Sequence, residues 1–204
     1  MDEVTRRILN REAMSLAPTL YDALDIAVTE AKKLRFPESE QPHLHSAYRR
    51  AAFRDTLRAQ GLPNEWILDG NPRQSGQTIL KLEHAGITLR LLSESTVTTN
   101  GVPHAGPNTV RRDQWRTVAV PLSIFSGAEA GDRNLLLLMN ARSDAPTLRI
   151  VRTTEAGRFH GTVACDYLLM MHRDVDNLGN ATFDTTEDDI NFYASLVRED
   201  SGDV

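Results

Sequence analysis

The feature that most constrains the fold is a run of five consecutive apolar residues between two asparagines, at residues 134–140. The run is much shorter than the ~20 residues that a membrane-spanning helix needs. It is also short for a soluble helix, whereas a brief apolar run with polar ends is typical of a strand buried on both faces. We therefore expect Asn134–Asn140 to be an interior strand of a sheet, with residues 135–139 nearly all buried.

Other segments of the chain alternate between apolar and polar residues, which indicates further strands. A glycine-containing turn at residues 84–86 separates two of these segments and predicts a hairpin, with Ile87, Leu89 and Leu91 on one face. Turns at residues 144–146 and 156–157 predict an antiparallel meander after the apolar run. The strands are expected at residues 65–69, 78–83, 87–92, 148–152 and 159–171.

The first 60 residues have the spacing of helices. Because Pro18 has no N–H to donate, we expect a short first helix to end just before it and a second to begin there. A third helix is expected from His43 to Gln60, with Gly61 as its stop. The side chains expected to face inward from this third helix are Leu44, Ala47, Tyr48, Ala51 and Leu57.

Two further helices are expected later in the chain. One would begin at Asn108 and run through Val118, and the other would begin at Thr185. The resulting fold class is α+β, with N-terminal helices packed on a mostly antiparallel sheet and a helix at the C-terminus. The expected parts are a helical segment (1–60), a β-rich core (61–183) and an acidic C-terminal helix or tail (184–204), together one compact domain.

Composition limits the classes of protein that fit. The 204 residues contain a single cysteine, Cys165, so no intramolecular disulfide can form, and no apolar run has the length of a membrane span. We expect a cytoplasmic protein that does not bind membranes. The net charge of −5 is unevenly spread, because residues 184–204 carry −6 and leave +1 for the remainder. The acidic balance therefore does not exclude a basic surface elsewhere.

The sequence contains no specific signature of catalysis. It has neither an HExxH motif nor a cysteine pair, and we expect no metal site and no cofactor. The nearest approach to a catalytic set is Asp69, Lys81 and Glu83, which lie on two expected strands. A small metal-dependent nuclease would use such residues, but here lysine precedes the acid, the reverse of the usual order. Whether the protein is an enzyme stays open, with catalysis the less favoured alternative.

Arginines give the strongest indication of binding. In the third helix Arg50, Arg54 and Arg58 recur every four residues and Arg49 flanks them, so they predict one basic face. The expected second cluster consists of Arg111, Arg112, Arg116 and Trp115. Guanidinium groups match phosphates, and an aromatic beside them can stack on a base. The alternative interpretation is a solvated helix face that pairs with Glu38, Glu40 or the acidic tail.

Three stretches carry a resemblance. They are Trp66-x-x-Asp69-Gly70-x-Pro72, Gly106-x-Asn108-x-x-Arg111-Arg112-x-x-Trp115, and the leucine run before Val151-Arg152. Over residues 66–152 the chain resembles uncharacterised small proteins of phage-like and defence-type bacterial loci, a resemblance that implies no activity and no residue roles. We expect a non-catalytic interaction or regulatory protein of such a system, binding nucleic acid or a partner protein. The nuclease and a protein-only toxin–antitoxin component are the alternatives.

Overall fold

The computed structural model describes residues 3–74, 76–106, 112, 134–142 and 145–173. These residues form α1 (Glu3–Lys32), α2 (Pro42–Gln60), β1 (Ile67–Asp69), β2 (Ile79–Leu82), β3 (Ile87–Ser93), β4 (Asn134–Asn140), β5 (Thr147–Thr153) and β6 (Cys165–Met170). A 3-10 turn, Glu83–Ala85, joins β2 to β3. Two N-terminal helices pack on the sheet, which confirms the expected α+β class.

The apolar run forms β4 and lies inside the sheet, as predicted. β4 pairs with β3 on one side and β5 on the other, and its five apolar residues are 0 to 4% exposed. Leu135, Leu137 and Met139 enter the core beneath the helices, and Leu136 and Leu138 enter a second core on the opposite face. Because both faces are covered, every position of the strand is apolar and no alternation is visible in the sequence.

The six strands follow one another through the sheet in chain order, from β1 to β6. Four of the five neighbouring pairs are antiparallel, which confirms the predicted hairpin and meander. The exception is β3 with β4, which run parallel with Leu89 opposite Leu135. Turn signals do not predict this pair, because parallel strands need a long crossover rather than a tight turn. The pair places the ends of β3 and β4, Ser93 and Asn140, at the same end of the sheet.

α1 continues through Pro18, so the expected division into two helices is wrong. Pro18 is exposed, whereas Leu9, Leu16, Leu20 and Leu24 are fully buried on both sides of it. A proline inside a helix costs about 3 kcal/mol. Burial of each leucine contributes roughly 1.5–3 kcal/mol, so the continuous apolar stripe outweighs the local penalty.

α2 has the expected extent within one residue, and the Gly61 N–H donates to Leu57 O at 3.0 Å. The predicted inward face is wrong at most of its positions, since Leu44 and Tyr48 are 42% and 37% exposed. The residues that α2 buries are His45, Arg49, Phe53 and Leu57. The buried stripe is rotated because His45 and Arg49 find polar partners in the loop that precedes the helix.

Two loops cover the face of the sheet opposite the helices. Val102, Ala105 and Val163 from these loops pack on Leu138 and Val151 in the second core. β6 begins only at Cys165, so the strand expected from residue 159 is too long. Residues 159–164 instead form a loop, whose glycine, Gly161, has a φ of 84°. This backbone conformation favours a turn over a strand.

Two expected helices fall outside the described residues. They are the segment 108–118, of which only Arg112 is described, and the C-terminal segment that begins at Thr185. The acidic residues 184–204 also lie outside. Neither of the two described helices combines the length and the apolar character that crossing a membrane requires.

Candidate functional site

Arg49, the first arginine of the expected basic face, is buried rather than presented to solvent. Its residue exposure is 5%, and its guanidinium donates two hydrogen bonds to Glu38, of 2.8 and 2.6 Å. This bidentate pair lowers the pKa of Glu38, and His45 and Arg142 add to the effect. His45 Nε2 lies 2.7 Å from Phe36 O, so α2 is tied twice to the loop before it. Arg49 therefore serves the fold.

Arg54 holds a loop to α2. Its guanidinium donates to the carbonyl oxygens of Asp69, Gly70 and Gln77. The loop between these residues approaches the helix so closely that a Cβ on Gly76 would lie 2.6 Å from Ala51 N. A guanidinium with five donors can bind several carbonyl groups at once, which a lysine cannot do in the same geometry.

The other two arginines of α2 also contact groups of the protein. Arg50 donates to the hydroxyls of Ser46 and Ser93, at 3.1 and 3.3 Å, and so joins α2 to the end of β3. Arg58 is exposed and forms an ion pair of 2.5 Å with Asp55 one turn earlier. Three of the four α2 arginines predicted to bind nucleic acid are thus engaged in packing the helix, and among these four only Arg58 has a mainly exposed side chain.

Arg112 represents the second expected cluster, because Arg111, Trp115 and Arg116 lie outside the described residues. Its carbonyl accepts a 3.0 Å hydrogen bond from Gly157 N–H. The loop that follows carries Phe159, which is 46% exposed, and the exposed His160. The ring of His160 makes edge contacts with Phe159 at 4.2 Å and with His104 at 5.7 Å between centroids. The structure thus joins the backbone of Arg112 to the segment that carries this aromatic surface, which the sequence did not indicate.

The structure pairs two of the three catalytic candidates, and the third, Glu83, lies near enough to Lys81 to raise its pKa further. Asp69 and Lys81 form an ion pair across β1 and β2, and Asp69 Oδ1 also accepts the Gly70 N–H at 2.6 Å. The pKa of Asp69 is lowered by Lys81 and by this backbone hydrogen bond, while Asp69 raises the pKa of Lys81. Glu83 belongs to the 3-10 turn rather than to β2. Lys81 is therefore protonated at neutral pH and unsuited to act as a general base.

The described residues contain no group of three or more histidine, cysteine, aspartate or glutamate side chains placed to hold a metal ion. Cys165 is half-buried, and burial raises the pKa of its thiol. A thiol with a raised pKa is a weak nucleophile.

The exposed side of β6 carries two large apolar side chains. β6 is one of the two edge strands of the described sheet, and Leu168 and Met170 on the side away from the helices are 53% and 41% exposed. On its other side, Tyr167 and Leu169 pack against the main core. Sequence reasoning missed this surface, because four consecutive apolar residues at 168–171 predict burial at every position.

The helices and their neighbouring loops also form the walls of two surface depressions. One, of about 600 Å³, lies between α1, α2 and the loop after β1, and exposes Ile26 and Tyr48. The other, of about 500 Å³, lies between α1, the loop before α2, α2 itself and the β4–β5 turn. The second contains the Arg49–Glu38 pair and His45.

Comparisons with protein-family models, with curated proteins and with solved structures found no match to this chain.

Proposed function

We propose that this is a non-catalytic interaction or regulatory protein of a bacterial or phage-type system, that it acts in the cytoplasm, and that its partner is another protein. The observation that carries the proposal is the exposed side of β6, an edge strand of the described sheet, where Leu168 and Met170 remain exposed. Exposed apolar side chains on a terminal strand are typical of surfaces that a partner covers. One member of a protein-only toxin–antitoxin pair is a special case of this proposal.

The arginines of α2 favour a protein partner over a duplex. A nucleic-acid interface needs guanidinium groups that reach phosphates, and each phosphate contact adds to the salt dependence of binding. Arg49 and Arg54 are bound to Glu38 and to three carbonyl groups, and Arg50 bridges two serines. Using them for phosphates would break contacts that hold α2 to the rest of the fold.

The direct test is site-specific crosslinking from β6. A photo-crosslinking amino acid in place of Leu168 should give one defined protein adduct in cells. The matched control is the same amino acid in place of Leu44, which is 42% exposed on α2. Changing Met170 to Lys should reduce the adduct at position 168. Equal labelling from both positions, or an adduct indifferent to Met170→Lys, would refute the partner surface on β6.

Single-stranded nucleic acid is the second candidate partner, and the aromatic surface near Arg112 favours it. Stacking of one base on an exposed aromatic contributes about 1–3 kcal/mol, so Phe159→Ala should weaken oligonucleotide binding about tenfold. Arg112→Gln should reduce the dependence of affinity on salt, whereas Arg58→Gln, the control, should change neither property. Fluorescence anisotropy across a salt series measures both. Binding that ignores Phe159 and Arg112 would exclude this surface.

The nuclease alternative predicts a different result. We expect purified protein with magnesium to leave DNA and RNA uncut, because Asp69 is paired with Lys81 and Lys81 is held protonated. Cleavage that is lost in Asp69→Ala or Glu83→Ala would overturn the proposal of a non-catalytic protein. A cleavage activity that survives both substitutions would point to a contaminant, which a second purification from a different host would expose.

A further inference from the structure

The depression of about 500 Å³ beside His45, which we call the polar cavity, has the size of a small-molecule site. Its charged walls come from separate parts of the chain: Asp25 and Lys32 on α1, Glu38 in the following loop, Arg49 on α2, Arg142 after β4, and Arg173 after β6. Apolar side chains, among them Val28 and Phe36, form another part of the wall. The polar cavity is distinct from the partner surface on β6.

Both carboxylates in this wall are already paired. Arg49 donates two hydrogen bonds to Glu38, and Arg173 donates two to Asp25, of 2.5 and 2.7 Å. Arg173 also lies over the ring of Tyr21, 4.7 Å from its centroid. Each bidentate pair fixes its guanidinium and neutralises one positive charge.

The remaining cations leave the polar cavity with an excess of positive charge. Four cationic side chains and two carboxylates line it, which gives a net charge of +2 with His45 neutral, in a chain whose net charge is −5. Lys32 and Arg142 form no ion pair with any residue that the structure describes. The end of α1 favours a cation at Lys32 by its helix dipole. Arg142 does not lie at a helix end, so no helix dipole stabilises its charge. Its positive charge lowers the pKa of Glu38.

We propose that the polar cavity binds a small organic dianion, a phosphate monoester, between Lys32 and Arg142. A phosphate monoester concentrates two negative charges on one group, which matches two uncompensated cations in one cavity. The apolar wall at Val28 and Phe36 contacts the organic part of the ligand. Glu38 and Asp25 act as positioning residues, because they hold Arg49 and Arg173 in the wall.

The experiment is calorimetric titration of the full chain at low ionic strength with phenyl phosphate, inorganic phosphate and succinate. Phenyl phosphate should bind saturably, more tightly than inorganic phosphate, and succinate should bind least. Lys32→Gln and Arg142→Gln should each weaken phenyl phosphate about tenfold, the loss of one charge-assisted contact. Phe36→Ala should weaken phenyl phosphate and leave inorganic phosphate unchanged. Both cations are exposed, so their substitution leaves the core intact.

The matched control is Arg58→Gln, which removes one exposed arginine outside the polar cavity and changes the net charge equally. It should leave the affinity for phenyl phosphate unchanged. The proposal fails if none of the three anions binds saturably, or if Arg58→Gln weakens binding as much as Arg142→Gln does. Succinate binding as tightly as phenyl phosphate would overturn the assignment to phosphate monoesters.

Discussion

β4 and α2 both bury side chains in the same fold, but different chemistry buries them. β4 places five apolar side chains into two cores, one on each face of the sheet. α2 buries Phe53 and Leu57 together with two polar residues, His45 and Arg49. The buried side chains of β4 require only apolar surroundings, whereas the buried polar side chains of α2 require particular oxygen atoms as hydrogen-bond partners.

The difference shows in what each element needs from the rest of the chain. Apolar burial is non-directional, so many different neighbours can cover β4. A buried guanidinium is tolerated only when its hydrogen bonds are made, and for Arg49 these come from Glu38 in the preceding loop. The position of α2 therefore depends on a few polar contacts, and the position of β4 on many weak ones.

The largest effect is expected in β4. Leu137 is fully buried at its centre, and Leu137→Ala should lower the free energy of unfolding by about 2–5 kcal/mol through lost burial and a residual cavity. Chemical denaturation measures the change. The matched control, Leu168→Ala on β6, should stay within about 0.5 kcal/mol because Leu168 is 53% exposed. Equal losses of unfolding free energy for the two variants would contradict the central position of β4 in the fold.

The next effect is expected at Arg54, which tests the polar attachment of α2. Arg54→Ala leaves three carbonyl groups, on Asp69, Gly70 and Gln77, without their donor, and should cost about 1–3 kcal/mol. Arg54→Lys should recover only part of the loss, since lysine lacks the planar fork. Arg58→Ala on the same helix should cost less than about 0.5 kcal/mol. Similar costs at both positions would mean that Arg54 does not hold the loop.

These two regions also explain how much of the fold could be predicted. The strand at residues 134–140 followed from its apolar run, and the hairpin and meander followed from glycine and proline turns around alternating segments. The parallel contact of β3 with β4 could not be predicted, because nothing in a crossover of some 40 residues specifies which strand it rejoins. Helix spacing gave the extent of α2, but its apolar residues were too few to identify the buried face.

A third effect is expected at Pro18, where local and tertiary preferences oppose each other. Pro18 is exposed inside the continuous helix α1, so Pro18→Ala removes no packing and restores one backbone donor. The variant should be more stable by about 1 kcal/mol, since the gain in the helix exceeds the greater entropy of the unfolded chain. Thermal unfolding monitored by circular dichroism gives the sign. A less stable variant would contradict a continuous helix through residue 18 and would favour the expected division there.

The candidate site was less accessible to sequence reasoning than the fold. Arginines repeated every four residues predicted a shared basic face, but long side chains reach partners that spacing does not reveal. Arg54 binds carbonyl groups 15 or more residues away, and no sequence signal marks a carbonyl as an acceptor. The exposure of Leu168 and Met170 could not be predicted, because their sequence neighbours are also apolar. Exposure depends on which other parts of the fold pack against a strand.

The smallest effect is expected at Glu38, where the polar contact of α2 depends on pH. Its pKa is lowered from the ordinary value of 4.5, chiefly by the hydrogen bonds from Arg49 and further by His45 and Arg142. A carboxyl whose pKa is lower in the folded state stabilises the protein above its unfolded pKa, and this contribution is lost as pH falls through the folded value. The Glu38 side chain is 40% exposed, so solvent screening limits the contribution to about 0–1 kcal/mol.

Glu38→Gln should therefore be slightly less stable than the wild type at pH 7, and the difference should shrink as pH falls below about 4.5. Urea denaturation at matched pH values measures it, and Glu40→Gln, two residues away and exposed, is the control. A constant difference across the range would show that the charge of Glu38 contributes nothing, because protonation removes the charge of the wild-type carboxyl at low pH. A difference that closes below pH 4.5 would show that the ion pair with Arg49 contributes to holding α2 against its loop. The contribution of this ion pair to the free energy of folding would be a fraction of that of one buried leucine of β4.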